Sequence, residues 1–272
     1  MSDEYLLGYG TAEQERLQRQ ANQLADESAW LFDTIGSLDG ARVLEIGCGP
    51  GGSLDQLSER VGPSGHVIGL ERNPEAVEMA KRFIADRELP NVKVICDDAR
   101  SSGLLGESFD LVTARFVLWN VPDPEQVVAE AERLVRPGGA VAFHEADWGM
   151  YTCDPPSRGW TGIIDHFVSY GAANGIDIFV GRRVPRLLRE AGLVQIGARP
   201  IVHLPPPGHP RRPVLLDLAD NLKGRMVAQS LLTETEYADL REDLARCIDD
   251  RETFVIHGVY FQVWGRKPTA GS

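Results

Sequence analysis

A ten-residue run, Val43-Leu44-Glu45-Ile46-Gly47-Cys48-Gly49-Pro50-Gly51-Gly52, holds the residue types that point most clearly to chemistry. Its apolar start reads as a short buried strand. Its glycines read as a sharp turn that lets backbone lie against a ligand, and residues 53–60 as a helix. Strand, glycine turn and helix in that order make a nucleotide-binding crevice at the carboxyl end of a parallel sheet. Gly47, Gly49 and Gly52 satisfy the G-x-G-x-x-G spacing of dinucleotide sites. Glu45, however, sets an acid at the mouth of the turn, where it would repel a pyrophosphate. A cofactor with a positive centre and a free amino group suits this turn better. Glu71 ends a second apolar run and can accept both hydroxyls of a ribose. NAD enzymes use the same device, so Glu71 marks a nucleoside without choosing the cofactor. Arg72 beside it could stack on the base. His144, at the end of a later apolar run, is a candidate general base because imidazole titrates near neutral pH. The alternative is a histidine bonded to backbone at a strand end. Glu145 and Asp147 follow it, too few ligands for a metal, and no metal is expected.

The elements that would position these residues are legible in outline. Residues 11–35 read as one long helix: Thr11 and Gln14 fit a capping box, and Leu17, Ala21, Leu24, Ser28, Leu31 and Ile35 recur at spacings of four and three. Strands are expected near 43–46, 66–71, 92–96, 109–114 and 140–143, alternating with helices. Asn73 and Pro74 suit the start of one of these helices. Residues 149–180 read as a helical insertion, followed by a helix over 181–191 and a sixth strand over 194–204. The Pro-rich connector Pro205-Pro206-Pro207-Gly208-His209-Pro210 cannot continue a ladder. Two helices near 214–230 and 234–249, the second capped by Thr233, precede a last strand over 254–264.

The phrase Leu44-Glu45-Ile46-Gly47-Cys48-Gly49-Pro50-Gly51 resembles motif I of the class I S-adenosylmethionine (SAM)-dependent methyltransferases. Asp98-Ala99 matches the family's Gly-Asp-Ala after the third strand. Asp97 stands where glycine is common, which leaves open which carboxylate points inward. Ser108-Phe109-Asp110-Leu111-Val112 and Leu134-Val135-Arg136-Pro137-Gly138-Gly139 resemble two further family phrases, so residues 40–146 cover the cofactor half of the pattern. The resemblance implies an α/β fold: a Rossmann-like seven-stranded, mostly parallel sheet with an antiparallel last strand, plus helical cap elements. It implies one domain over 1–272, with a lid helix over 1–36, a SAM-binding core over 40–147, and substrate caps at 148–180 and 205–252. Gly47, Cys48 and Gly49 would face the methionine part of SAM, and Glu45 would orient it through water. Glu71 would hold the ribose, Asp98 and Ala99 the adenine, and Arg115 a SAM carbonyl or the substrate. Tyr9 and Gln20 would be polar contacts from the lid. Trp119 and Trp148 would wall the substrate and favour the sulfonium by cation–π contact.

Acidic residues number 40 against 28 basic, a net charge of −12. That balance, with no basic stripe, disfavours nucleic acid and favours a small-molecule substrate. Four scattered cysteines form no C-x-x-C pair and fit a reducing cytoplasm. The polar, acidic start is unlike a signal peptide, and no apolar run reaches membrane-spanning length. The lid helix and the late insertion are the surfaces on which a homo-oligomer would form. The expected function is methyl transfer from SAM to an O, C or N nucleophile of a small metabolite, as in the ubiquinone-type or secondary-metabolite branches. The alternatives are a SAM-binding protein that does not methylate, and an NAD-dependent oxidoreductase, for which no Tyr-x-x-x-Lys relay is found.

Overall fold

The computed structural model describes residues 11–269, with side chains from residue 16 onward. Strands β1 (Arg42–Ile46), β2 (His66–Glu71), β3 (Val92–Cys96), β4 (Phe109–Arg115) and β5 (Val135–Asp147) run parallel. The final strand β8 (Phe254–Arg266) lies antiparallel to both β5 and β7 (Val194–His203). The order across the sheet is β3-β2-β1-β4-β5-β8-β7. This is the expected seven-stranded α/β sheet with one addition: a three-residue strand, β6 (Thr152–Asp154), pairs with the start of β8. Three residues are too few to show a two-residue period, so the sequence carries no sign of it.

Helices cover both faces. On one face Val43, Val67, Leu111 and Ala142 pack with Leu54 and Leu57 of α3 (Leu54–Val61). On the other, Leu44, Val112, Val141 and Phe143 pack with Val127, Val128 and Ala131 of α5 (Pro124–Leu134) and with α7 (Val180–Glu190). The alternation of adjacent residues between these two clusters is the strand period itself. Between β2 and β3, α4 (Pro74–Asp86) starts as its sequence suggests, with the Asn73 side chain accepting from Ala76 N–H and Pro74 in the first turn.

Two expectations change, and a third is made more specific. The N-terminal helix is not straight: it divides at Leu24 into α1 (Thr11–Gln23) and α2 (Ala25–Ile35). Leu24 is buried with Leu44 and Ile46, whereas Leu31, Phe32 and Ile35 are buried with Val43 on the opposite face. One straight rod cannot serve both clusters, and the bend carries α1 over the carboxyl edge of the sheet. No helix joins β3 to β4 among the described residues. Residues 97–108 form a loop, tied down by Asp97, which accepts from Asp98 and Gly103 N–H, and by Glu130, which accepts from Ser102. Finally, the insertion near 149–180 contains one helix, α6 (Arg158–Ala173). It packs on α9 (Glu234–Asp249) so closely that a Cβ on Gly159 would strike the α9 backbone. Thr233 caps α9 in a full capping box with Glu236, and α8 (Val214–Ala228) completes this helical layer. No helix among the described residues is long and apolar enough to cross a membrane.

Candidate active site

A cavity of about 990 Å³ opens at the carboxyl ends of β1, β2, β4 and β5. Its floor is the first glycine turn. Gly47, Gly49, Gly51 and Gly52 all have positive φ. A Cβ on Gly47 would fall 2.5 Å from Val117 Cγ2, and one on Gly52 would fall 2.7 Å from Glu45 Oε1. At Gly49 a Cβ would meet nothing within 4 Å, so this glycine leaves a cradle that any side chain would fill. Across the turn, Gly69 of β2 leaves room for Cys48 Sγ, which a Cβ there would approach to 2.7 Å.

Glu45 is buried, and Ser53 N–H donates to both its oxygens at 2.9 and 3.0 Å. That N–H belongs to the entry of α3. The carboxylate therefore occupies the helix N-terminus where a pyrophosphate would dock. Burial pushes its pKa up to about 7, against the pull of Arg115. Glu71 accepts from Gly49 N–H at 3.0 Å and Asn73 N–H at 2.8 Å, and burial raises its pKa. Each of its oxygens keeps a second lone pair for a ligand hydroxyl. Of the two neighbouring acids, Asp97 spends both oxygens on its own loop. Asp98 holds Arg100 at 2.7 Å, which keeps the Asp98 carboxyl below its ordinary range. Arg115 donates to Ser28 Oγ at 2.9 Å from beneath the cavity.

Gln20, Glu45, Gly47, Cys48, Gly49, Glu71, Arg72, Asp98, Ala99, Arg115, Trp119 and Trp148 all line this one cavity. Tyr9 lies outside the described residues. His144 does not line the cavity: it is buried in β5, with the cavity-lining rings of Phe116 and Tyr260 packed on it at 5.1 and 5.8 Å between centroids. Its Nε2 is 3.5 Å from the Glu27 carboxylate. Burial above all, and then Arg115, His203, Arg211 and Arg199, hold its pKa well below the usual imidazole value. It is a neutral ring and a weak base. The adjacent Glu145 accepts from Val117 and Leu118 N–H at 2.8 and 2.9 Å, and burial pushes its pKa up to about 8. It thereby holds a corner in which Phe116 adopts the left-handed φ of 56°, a conformation a non-glycine residue keeps only when its surroundings enforce it.

The far end of the cavity is aromatic. Trp119 and Trp148 stand 5.7 Å apart between centroids, joined there by Tyr151, Tyr170 and Tyr260. Asn174, at the end of α6, and Gln229, at the end of α8, bond each other reciprocally through their amides at 3.0 Å and close the wall. Sequence reasoning missed Tyr151, Tyr260, Asn174 and Gln229. One signal was available: Gly258 interrupts an apolar strand, which marks a close approach by another group.

Residues 44–143 match the sequence family described as Methyltransferase domain. The chain is 37% identical over 166 residues to an uncharacterized 37.1 kDa protein in transposon TN4556 of Streptomyces fradiae, a match spanning 60% of this chain and 46% of that protein. It is 32% identical over 131 residues to a demethylmenaquinone methyltransferase of Listeria monocytogenes, spanning 48% of this chain and 53% of the relative. The chain thus spans about half the length of the curated relatives it matches. Among solved structures, the Haemonchus contortus phosphoethanolamine N-methyltransferase 2 bound to SAM superposes with a TM-score of 0.57 at 17% identity, over 90% of this chain and 53% of that one. A SAM-dependent methyltransferase from Aquifex aeolicus gives 0.53 at 19%, over 71% and 92%. The [4+2]-cyclase SpnF gives 0.55 at 20%, over 91% and 83%. At such identities these likenesses establish the fold. Together with the family match, they give residues 44–143 the methyltransferase fold.

Proposed function

We propose that this protein transfers a methyl group from SAM to a small acceptor with a flat, largely apolar body. The observation that carries this reading is the polarity of one continuous cavity. Its glycine-floored end gathers Glu45, Glu71 and Asp98, and its other end gathers Trp119, Trp148, Tyr151 and Tyr170. Bound SAM supplies an electrophilic methyl group on a sulfonium. The Gly47–Gly49 turn gives the methionine part close backbone approach, and Glu71 offers its free lone pairs to the ribose. Asp98 and Ala99 would flank the adenine, with Arg72 beside it. Gln20 of α1 reaches in from above and Arg115 from below. Trp119 and Trp148 would hold the acceptor beside the bound cofactor and exclude water, so that orientation would supply much of the rate. His144 enters as a support behind Phe116 and Tyr260. The demethylmenaquinone methyltransferases among the relatives are consistent with a flat, ring-shaped acceptor.

The [4+2]-cyclase of the same fold favours a second reading, a SAM-binding protein that does not methylate. Incubation with SAM and a panel of aromatic hydroxyl, enol and amine acceptors separates the two. Release of S-adenosylhomocysteine (SAH) in step with acceptor consumption supports methyl transfer. Binding of SAM with no release on any acceptor supports the second reading.

A further inference from the structure

Two phenols, Tyr151 and Tyr260, line the aromatic end of the cavity, and each ring is held by packed aromatic neighbours. The Tyr151 ring stacks on Trp148 at 4.6 Å and 8°, and on His257 at 5.7 Å and 16°. Its edge lies directly on Gly258 of β8, where any Cβ would strike the ring and come within 2.5 Å of the Asp147 carbonyl. Held on both faces and at one edge, Tyr151 presents its remaining edge to the cavity that it lines. Tyr260 follows Gly258 by two residues, just past an irregularity in the β7–β8 register. Its ring is fixed by Phe116 at 4.9 Å and His203 at 4.8 Å, and it too lines the cavity. Both rings line the same cavity. Burial, and then the Tyr260 hydroxyl, push the Tyr151 phenol well above its ordinary pKa, so it stays a proton donor.

The charges around this pair are mostly positive. The Arg211 guanidinium sits 5.4 Å from the centre of the Tyr260 ring. Arg115 lines the cavity, Arg199 lies over Trp30 at 4.0 Å, and Arg212 is buried behind His257. Two carboxylates at this end are engaged: Glu27 by His203 at 2.6 Å and Arg211 at 3.7 Å, and Asp147 by Arg182. His144 and His257 are held neutral by burial, with these cations depressing both further. Glu45 and Glu145, on the neighbouring walls, both have raised pKa values. Of these guanidinium groups Arg115 lines the cavity and Arg211 lies against the Tyr260 ring, so positive charge stands close to the two phenols.

Resting on the methyl-transfer reading for what lies next to it, the geometry points to Tyr151 and Tyr260 as an oxyanion-holding pair. It takes the acceptor as the conjugate base of an acidic hydroxyl, a phenol or an enol, and discriminates against neutral amines. The acceptor O–H bond breaks as the ligand leaves solvent, its proton passes to bulk water, and the oxygen enters the cavity keeping the electron pair. The two phenolic O–H groups donate to that oxygen, and the surrounding guanidinium groups stabilise its charge.

The test uses 4-nitrophenol and 4-nitro-1-naphthol, whose ionised forms absorb visible light, titrated into the full chain saturated with SAH. The buffer is set one pH unit below the pKa of each free phenol. The phenolate band should grow in proportion to binding, meaning that the site lowers the ligand pKa by at least about one unit, roughly a tenfold preference for the anion. Tyr260→Phe and Tyr151→Phe should each lose most of that band and about tenfold in affinity. 4-Nitroaniline should bind at least about tenfold more weakly than the phenols and be indifferent to both substitutions. Phenols bound in neutral form, nitroaniline bound equally well, or an unchanged band in Tyr260→Phe would overturn the pair. Calorimetry of SAH on the same samples separates the two levels. Loss of SAH binding overturns the cofactor reading, whereas SAH binding without phenolate binding overturns the pair alone.

Discussion

Replacing Glu145 with glutamine should flatten the dependence of stability on pH. Glu145 is wholly buried, its Oε1 accepts from Val117 and Leu118 N–H, and its Oε2 has no partner. Burial raises its pKa from 4.5 to about 8. Between those values the folded protein keeps a proton that the unfolded chain has released, so stability is full below about pH 4.5 and falls as pH rises toward 8. At ~1.4 kcal/mol per pH unit the loss approaches about 5 kcal/mol by pH 8 to 9. Glu45, raised to about 7, adds a loss of the same sign over a narrower range. Glutamine keeps the carbonyl that holds the 116–120 corner and cannot ionise. The variant should match the wild type to within about 1 kcal/mol near pH 5 and exceed it by several kcal/mol near pH 9. Urea unfolding at half-unit steps from pH 5 to 9 reads this directly. Parallel curves for the two proteins would refute the reasoning, because they would mean that Glu145 is ionised in the folded state at neutral pH.

Glu71→Ala should weaken SAH binding by more than about 1.5 kcal/mol by calorimetry, since it removes the acceptor of both ribose hydroxyls. Unchanged affinity would take Glu71 out of the site. Arg212→Met should cost about 3 kcal/mol or more in urea unfolding, because Arg212 donates to the carbonyls of Ile248, Pro205, Asp250 and Thr253 in a buried knot. Arg212→Lys should rescue little of it, as an ammonium lacks the planar fork. Gly258→Ala should destabilise by about 1–3 kcal/mol through overpacking on Tyr151 and weaken nitrophenol binding while sparing SAH; an unaltered titration would show that Tyr151 has room to move. His144→Ala should leave SAH affinity intact and lower turnover by less than about tenfold if the ring only supports Phe116 and Tyr260. A larger loss that rescue by imidazole reverses would restore it as a base.

The cofactor end was legible because its signals are local. Only glycine fits the positive φ at Gly47 and Gly52, and Glu45 sits two residues from the turn it caps. The two long strands beyond β5 were legible for a similar reason: prolines stop the first and a long apolar run forms the second. The acceptor end was not. Tyr151 and Tyr260 meet across more than a hundred residues of chain, and nothing in either neighbourhood names the other except Gly258. His144 looked exposed to chemistry because strand ends usually are. The backbone turn at Phe116, left-handed for a phenylalanine, swings a ring across it, and no sequence pattern signals that turn. The bend at Leu24 was hidden because an unbroken apolar stripe serves a straight helix and a bent one equally well.

Calorimetric titration of the purified protein with SAH, with NAD run in parallel, probes the cofactor crevice most directly. Glu71 beside the glycine turn requires SAH to bind, and Glu45 on the α3 N-terminus requires NAD to give no heat. NAD binding at the same turn would contradict the role given to Glu45, and with it the placement of a cationic cofactor in this cavity.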